Sequence, residues 1–188
     1  MADNSAPGRL ELVRAFINTL DREEKGRLRV VDPAEDRSEV ARWLRSQGLL
    51  GAAEPSDTDL DRAIEVRECL RELAFANHDD AEVAPEVLDR LNRASSDIPL
   101  MVHFGPQGAE VTPRSPAGVE AALGTLLGIV AQAMTEGTWA RLKACAKDTC
   151  RWAFYDRARN RSGRWCDMAV CGNRVKATTY RKRREAEA

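Results

Sequence analysis

The sequence predicts a mainly α protein with a small β-hairpin (α+β), followed by a small treble-clef-like module at its C-terminal end. Three observations carry this. Apolar residues recur at helical spacing through most of residues 10–137. The period becomes alternating between Ile98 and Arg114, around a Gly105-Pro-Gln-Gly108 turn. Four of the five cysteines fall in the last 44 residues, as Cys145-x4-Cys150 and Cys166-x4-Cys171.

Residues 1–9 contain Pro7 and Gly8 and no periodic pattern, so they are expected to form a flexible N-terminus. Leu10, Val13, Phe16, Ile17 and Leu20 predict a helix over residues 10–20. A charged connection from Asp21 to Asp36 follows, with Leu28 to Val31 as a short extended piece. Asp36 or Ser38 is expected to cap a helix containing Val40, Trp43 and Leu44, which Gly48 stops. After a linker, Ser56 or Asp57 caps the longest helix, about residues 58–77, on the periodicity of Leu60, Ala63, Ile64, Leu70, Leu73 and Ala74. Pro85 suits the first position of a further helix running to about Ala94. Two short strands precede and follow the Gly105–Gly108 turn, and Pro99 and Pro113 limit their ladder. Ser115 or Pro116 then opens a helix through Val119, Leu123, Leu126, Leu127, Val130 and Met134, which Gly137 closes. The organisation read from this is a flexible segment 1–9, a helical domain 10–139 and a module 140–188.

At 188 residues the chain suits one medium domain and one small module. No apolar stretch reaches transmembrane length, and no basic segment followed by a hydrophobic run opens the chain. A cytoplasmic protein without a membrane partner is therefore expected. The net charge of −1 hides an asymmetry. Residues 145–188 hold 12 Lys+Arg against 5 Asp+Glu, a formal +7, whereas residues 1–144 carry a formal −8. An acidic body with a basic end points to a polyanionic partner.

The cysteine spacing suits one tetrahedral metal ion, with two ligands from each of two tight turns and an intervening hairpin joining them. Four thiolates select zinc and leave no open coordination position for chemistry. Cys145, Cys150, Cys166 and Cys171 are thus the expected ligands of one structural Zn²⁺. Within the expected hairpin, Trp152, Phe154 and Asp156 alternate with Ala153 and Tyr155, and Arg164 and Trp165 begin the return strand. Trp152 and Trp165 are assigned to packing beside the metal rather than to base stacking. Asp156 is expected to orient an arginine such as Arg159 or Arg174. The fifth cysteine, Cys69, reads as a buried core thiol. His78 and His103 lack an evident catalytic partner, and no phosphate loop or zinc-protease helix is present. No catalytic residue is assigned and an enzyme is not expected.

The basic residues form two sets. Arg157, Arg159, Arg161 and Arg164 surround the hairpin tip, and Arg174, Lys176, Arg181, Lys182, Arg183 and Arg184 lie on an expected last helix. Arginine outnumbers lysine nine to three in residues 145–188, which favours bidentate phosphate contacts and guanine edges. Asn160 and Asn173 suit either nucleic-acid contacts or turn and cap roles.

Cys171-Gly-Asn-Arg174, with Cys145-x4-Cys150, Trp152-x-Phe154-x-Asp156, Arg159-Asn160 and Arg164-Trp165-Cys166, resembles the CGNR zinc finger family. Ala158 departs from it, where a small hydroxyl residue is expected. Phe16-Ile-Asn-Thr-Leu-Asp21, Trp43-Leu44 and Leu70-Arg-Glu-Leu73 resemble the ABATE-type domain that precedes that finger. The resemblance covers nearly the whole chain. It implies a stress-induced transcription regulator whose zinc finger binds DNA. On this reading the helical domain binds a small-molecule effector or forms a homodimer. The alternatives are an RNA binder that stacks bases, a protein–protein zinc module, and a redox switch that releases zinc on oxidation.

Overall fold

The structure, a computed structural model, describes residues 4–186 except 25–26, 53, 79–80, 107 and 116. Residues 1–3 of the N-terminal segment and Pro116, expected to open a helix, lie outside the described residues. In order, the chain forms α1 (Leu10–Ile17), β1 (Glu23–Glu24), β2 (Arg27–Leu28), α2 (Pro33–Ser46), α3 (Asp57–Ala76) and α4 (Pro85–Ser95). Then come β3 (Leu100–Gly105), β4 (Gly108–Pro113), α5 (Val119–Thr135), β5 (Leu142–Ala144), β6 (Ala153–Tyr155) and α6 (Asn173–Ala186). Among the described residues the fold is mainly α with three separate two-stranded antiparallel sheets.

Local chemistry sets the helix starts. Ser56 and Asp59 form a reciprocal capping box at the head of α3. Pro85 occupies the first turn of α4, where its missing N–H costs nothing. For α2 the expected cap is corrected. Asp32 accepts from the Ala34 and Glu35 amides, and Pro33 fixes the first turn. That releases Asp36, which is buried and pairs bidentately with Arg67 at 2.6 and 2.7 Å. The helix expected to open at Ser115 or Pro116 begins at Val119, after Gly118 at φ 99°, a conformation open to glycine.

α3 is the hub. It packs against α1, α2, α4, α5 and β5. Phe16, Ile17, Leu44, Leu70, Leu123 and Leu126 fill the centre, and Phe16 also stacks at a tilt on Trp43. Cys69 lies wholly inside this core, as expected, and burial pushes its thiol up. Arg67 and Arg71 are buried too. Glu68 bridges them at 2.8 and 3.1 Å. Burial alone would push the Glu68 carboxyl up, but Arg71 and Arg67 outweigh it and hold it below the usual carboxylate range.

The β3–β4 hairpin pairs Leu100 with Pro113 and Gly105 with Gly108. It lies on α5 because two glycines on that helix leave room. A Cβ at Gly128 would sit 2.7 Å from the Val111 carbonyl oxygen, and one at Gly124 would sit 2.9 Å from Pro113 Cβ. Gly128→Val is expected to destabilise the fold by about 1–3 kcal/mol through overpacking, despite a better helix propensity than glycine. Thermal melts check this; a variant as stable as the wild type would show that the hairpin is not seated on Gly128.

Within the N-terminal segment expected to be flexible, residues 4–6 make bonds to the finger or are buried. The Asn4 carbonyl accepts from the Tyr155 amide at 3.0 Å, and Asn4 Nδ2 donates to the Cys166 carbonyl. Ser5 accepts from the Arg157 guanidinium at 2.9 Å, and Ala6 is buried. Among the described residues, no helix is long and apolar enough to cross a membrane.

Candidate metal centre and nucleic-acid interface

Two tight turns present the cysteines. In the first, the Cys145 amide donates to the Trp152 carbonyl, and the Cys150 and Arg151 amides both donate to the Lys147 carbonyl. Arg151 takes φ 52°, a left-handed conformation that turns the chain sharply into β6. In the second turn, the Asp167 carboxylate accepts from the Val170 amide. Its carbonyl accepts from the Cys171 and Gly172 amides, closing a π-helical turn over Met168–Gly172. Gly172 leaves room there for side chains: a Cβ would approach Met168 Sδ to 2.5 Å and Trp165 Cδ1 to 3.0 Å.

The four Sγ atoms all lie within 4.8 Å of one another. Cys150 Sγ stands 3.7 Å from Cys166 Sγ, which stands 3.7 Å from Cys171 Sγ. A tetrahedron of sulfurs about 2.3 Å from zinc has edges of about 3.8 Å, so the spacing fits zinc and is far too long for a disulfide. The electrostatics agree. With sulfur alone to share the charge, hydrogen bonds from Cys150 and Cys166 hold the Cys145 thiol down at about 2. The same sharing pushes Cys150 up to about 12 and Cys166 upward as well, while burial and the neighbouring Cys145 charge push the Cys171 thiol up. Three buried sulfurs and a half-buried fourth, crowded this closely, can all be thiolates only with a divalent cation between them. The centre holds one structural zinc.

Trp152 and Trp165 pack against the cysteines, as assigned. The expected hairpin does not form. β6 pairs not with a strand after the turn but with β5, which precedes Cys145, in the register Leu142–Tyr155, Lys143–Phe154 and Ala144–Ala153. The first cysteine pair is therefore the loop of the hairpin, and the return segment adds one backbone bond, from the Ala146 amide to the Arg164 carbonyl. Asp156 is also reassigned. It orients neither Arg159 nor Arg174. Lys143 Nζ donates to it at 3.0 Å, and the Ala158 and Gly163 amides donate at 3.0 and 2.8 Å. Both Asp156 and Lys143 are buried, so this carboxylate ties the arginine loop to β5. Gly163 approaches so closely that a Cβ would meet the Asp156 carboxylate at 2.7 Å.

The strands β5 and β6 belong to the same core as α1 and α3. Asn18 treats β6 as a strand neighbour, accepting from the Ala153 amide at 2.7 Å and donating to its carbonyl at 2.9 Å. Arg71 donates to the Ile17 and Arg151 carbonyls, bridging α1 and the first cysteine turn. Asn77 donates to the Trp139 and Leu142 carbonyls, and His78 Nε2 lies 2.6 Å from the Ala144 carbonyl oxygen. The Arg151 guanidinium sits 3.5 Å over the Phe75 ring. His78 is thus a satisfied structural histidine. None of these clamps is signalled by periodicity or spacing; a run of Asn-His at the end of a helix was the one available cue.

Two family models match the chain. The CGNR zinc finger covers residues 141–184. A domain described as "Putative stress-induced transcription regulator", ABATE, covers residues 10–137, more than half of the chain. The chain belongs to the ABATE family. No curated protein matches it. In this ABATE chain the family boundaries fall at the short 3-10 turn Trp139–Arg141 that leads from α5 into β5.

The basic residues named from sequence all belong to the finger. Arg157, Arg159, Arg161 and Arg164 are exposed along the loop after β6, with Arg161 at φ 53°. Arg174, Lys176, Arg181, Arg183 and Arg184 are exposed on α6; Lys182 lies on the same helix, its side chain outside the described residues. Arg157 lies 5.8 Å over the Tyr155 ring. Arg174 makes a 2.9 Å bond to Glu23. Lys147 and Thr149, missed in the sequence, join Arg174 around that same carboxylate.

Proposed function

We propose that this chain is a DNA-binding transcription regulator whose zinc finger contacts duplex DNA through α6 and the arginine loop, while the helical domain senses an effector or dimerises. The observation that carries the reading is the exposure of two arginine sets on a module whose own metal and core side chains are inward. Arg157, Arg159, Arg161 and Arg164 offer forks along the loop, and α6 offers a second row. Forks of this kind take phosphates bidentately, and an exposed basic helix is the usual element that enters a major groove. The packing of Trp152 and Trp165 against the cysteines weighs against the base-stacking RNA reading. A closed four-thiolate centre supplies stability, not a reactive water.

Zinc-loaded protein titrated with duplex DNA at two salt concentrations tests the proposal. If about six cations neutralise phosphates, log K falls against log salt with a slope near −5. Arg181→Ala is expected to weaken binding and flatten the slope by about one while the melting temperature stays put. A salt-independent affinity, or undiminished binding after zinc is chelated, would overturn it. Tighter binding to single strands or RNA would replace it with the alternative.

A further inference from the structure

The basic finger already holds an anion, and that anion is one of the chain's own side chains. Glu23 on β1 reaches between the first cysteine turn and the start of α6. Its Oε2 accepts from Lys147 Nζ and, at 3.0 Å, from Thr149 Oγ1, while Oε1 accepts from the Arg174 guanidinium at 2.9 Å. Glu23 and Lys147 are 13% and 12% exposed. An ammonium, a hydroxyl and a guanidinium converging from two elements are the donors that hold a phosphate group, whose oxygens accept as a carboxylate's do. The site also remains under-neutralised, because one carboxylate faces two cations. Beside it an open cleft of about 880 Å³ continues along Asn173, Thr178 and Arg181, so a longer anion has room to enter.

The element carrying Glu23 is weakly held. β1 and β2 are two residues each, Leu28 is 55% exposed and Val30 is 97% exposed. Little apolar burial resists its withdrawal. Exchange of the Glu23 carboxylate for a phosphodiester, each carrying one negative charge, leaves the charge balance of the site unchanged.

We infer that Lys147, Thr149 and Arg174 form a phosphate-binding site in which the Glu23 carboxylate stands in for the ligand, so that a backbone phosphate of duplex DNA must displace Glu23 to engage the head of α6. The duplex as the source of that phosphate rests on the function proposed above; the site itself rests on the three donors. Glu23 thereby lowers the affinity of the finger and gives the helical domain a direct hold on it.

The test uses full-length, zinc-loaded protein and two probes, a labelled DNA duplex and inorganic phosphate. Glu23→Gln keeps the size of the side chain and removes its charge. It is expected to bind the duplex about ten-fold more tightly at a nearly unchanged salt slope, because the same two cations meet the phosphate in both forms and only the competing carboxylate is gone. Phosphate is expected to raise the melting temperature of Glu23→Gln more than that of the wild type. Adding Lys147→Met and Thr149→Val to Glu23→Gln should cancel both gains. Lys147→Met in the otherwise wild-type chain, which leaves Glu23 paired with Arg174, should weaken duplex binding and flatten its slope by about one. Duplex binding indifferent to Glu23→Gln and to Lys147→Met overturns the site and leaves the DNA-binding function intact. Phosphate protection of Glu23→Gln that the added substitutions abolish, without duplex binding by any form, keeps the site and overturns the DNA-binding function. Should Glu23→Gln lose its zinc, Lys147→Met alone decides, and unchanged binding there removes the site.

Discussion

Cys171→Ser will strip the zinc and unsettle more than the finger. A serine hydroxyl is a poor substitute for a thiolate, and the three remaining sulfurs cannot close the tetrahedron. Structural zinc contributes about 10–16 kcal/mol in small fingers, against about 5–15 kcal/mol for the net stability of a whole domain. Cys171 sits in the turn that feeds directly into α6, so the basic helix loses its foundation along with the metal. Duplex binding is expected to be lost. The damage should also travel inward, because the first cysteine turn closes the β5–β6 hairpin and Leu142, Ala144, Ala153 and Tyr155 of that hairpin lie in the core shared with α1 and α3. Metal analysis should return well under one zinc per chain, and the main thermal transition should fall by more than about 10 °C. A variant that keeps one zinc and melts like the wild type would contradict the assignment of Cys171 as a ligand.

Arg71→Leu is expected to be the most damaging change away from the metal. The guanidinium is buried and spends its donors on the Ile17 carbonyl at 2.6 Å, the Arg151 carbonyl at 3.1 Å and the Glu68 carboxylate at 3.1 Å. Leucine replaces some of the volume and none of the donors, leaving two carbonyls and part of a half-buried carboxylate without partners. Removing one member of such a network costs about 3–5 kcal/mol, or about 6–20 °C in melting temperature for a chain of this length. Arg151 follows Cys150, so zinc should also pass more readily to a competing chelator. Arg71→Lys should rescue little, since one ammonium cannot span three acceptors in different directions. Wild-type melting and wild-type zinc retention in Arg71→Leu would show that this bridge is dispensable.

The metal centre was legible because ligand spacing is a local property and thiolates are chemically distinctive. Helices whose apolar faces repeat over several turns were legible for the same reason, and the β3–β4 hairpin because its turn carries glycine and proline. The hairpin of the finger was not. Leu142–Ala144 is three residues long, too short to show a period, and its pairing with Ala153–Tyr155 is decided by burial against α3. The N-terminal segment read as mobile because its anchors are the Asn4 backbone and amide, which carry no hydrophobic pattern. Asp36 read as a cap since an aspartate before an apolar run usually is one; Pro33 moved the start of α2 upstream and left Asp36 to neutralise Arg67. Glu23 gave no signal at all, because its three partners are more than 120 residues away in sequence.

The continuity of β5 and β6 with the helical core has a practical corollary for engineering. The finger, residues 141–184, is not a cassette. Transplanted into a chimera without α1 and α3, it would carry Leu142 and Tyr155 into water and leave the edge of β6 without Asn18. A fusion built on this finger must bring its own helical chaperone along, and swapping fingers between homologues should succeed only when Asn18, Arg71 and Asn77 travel with them.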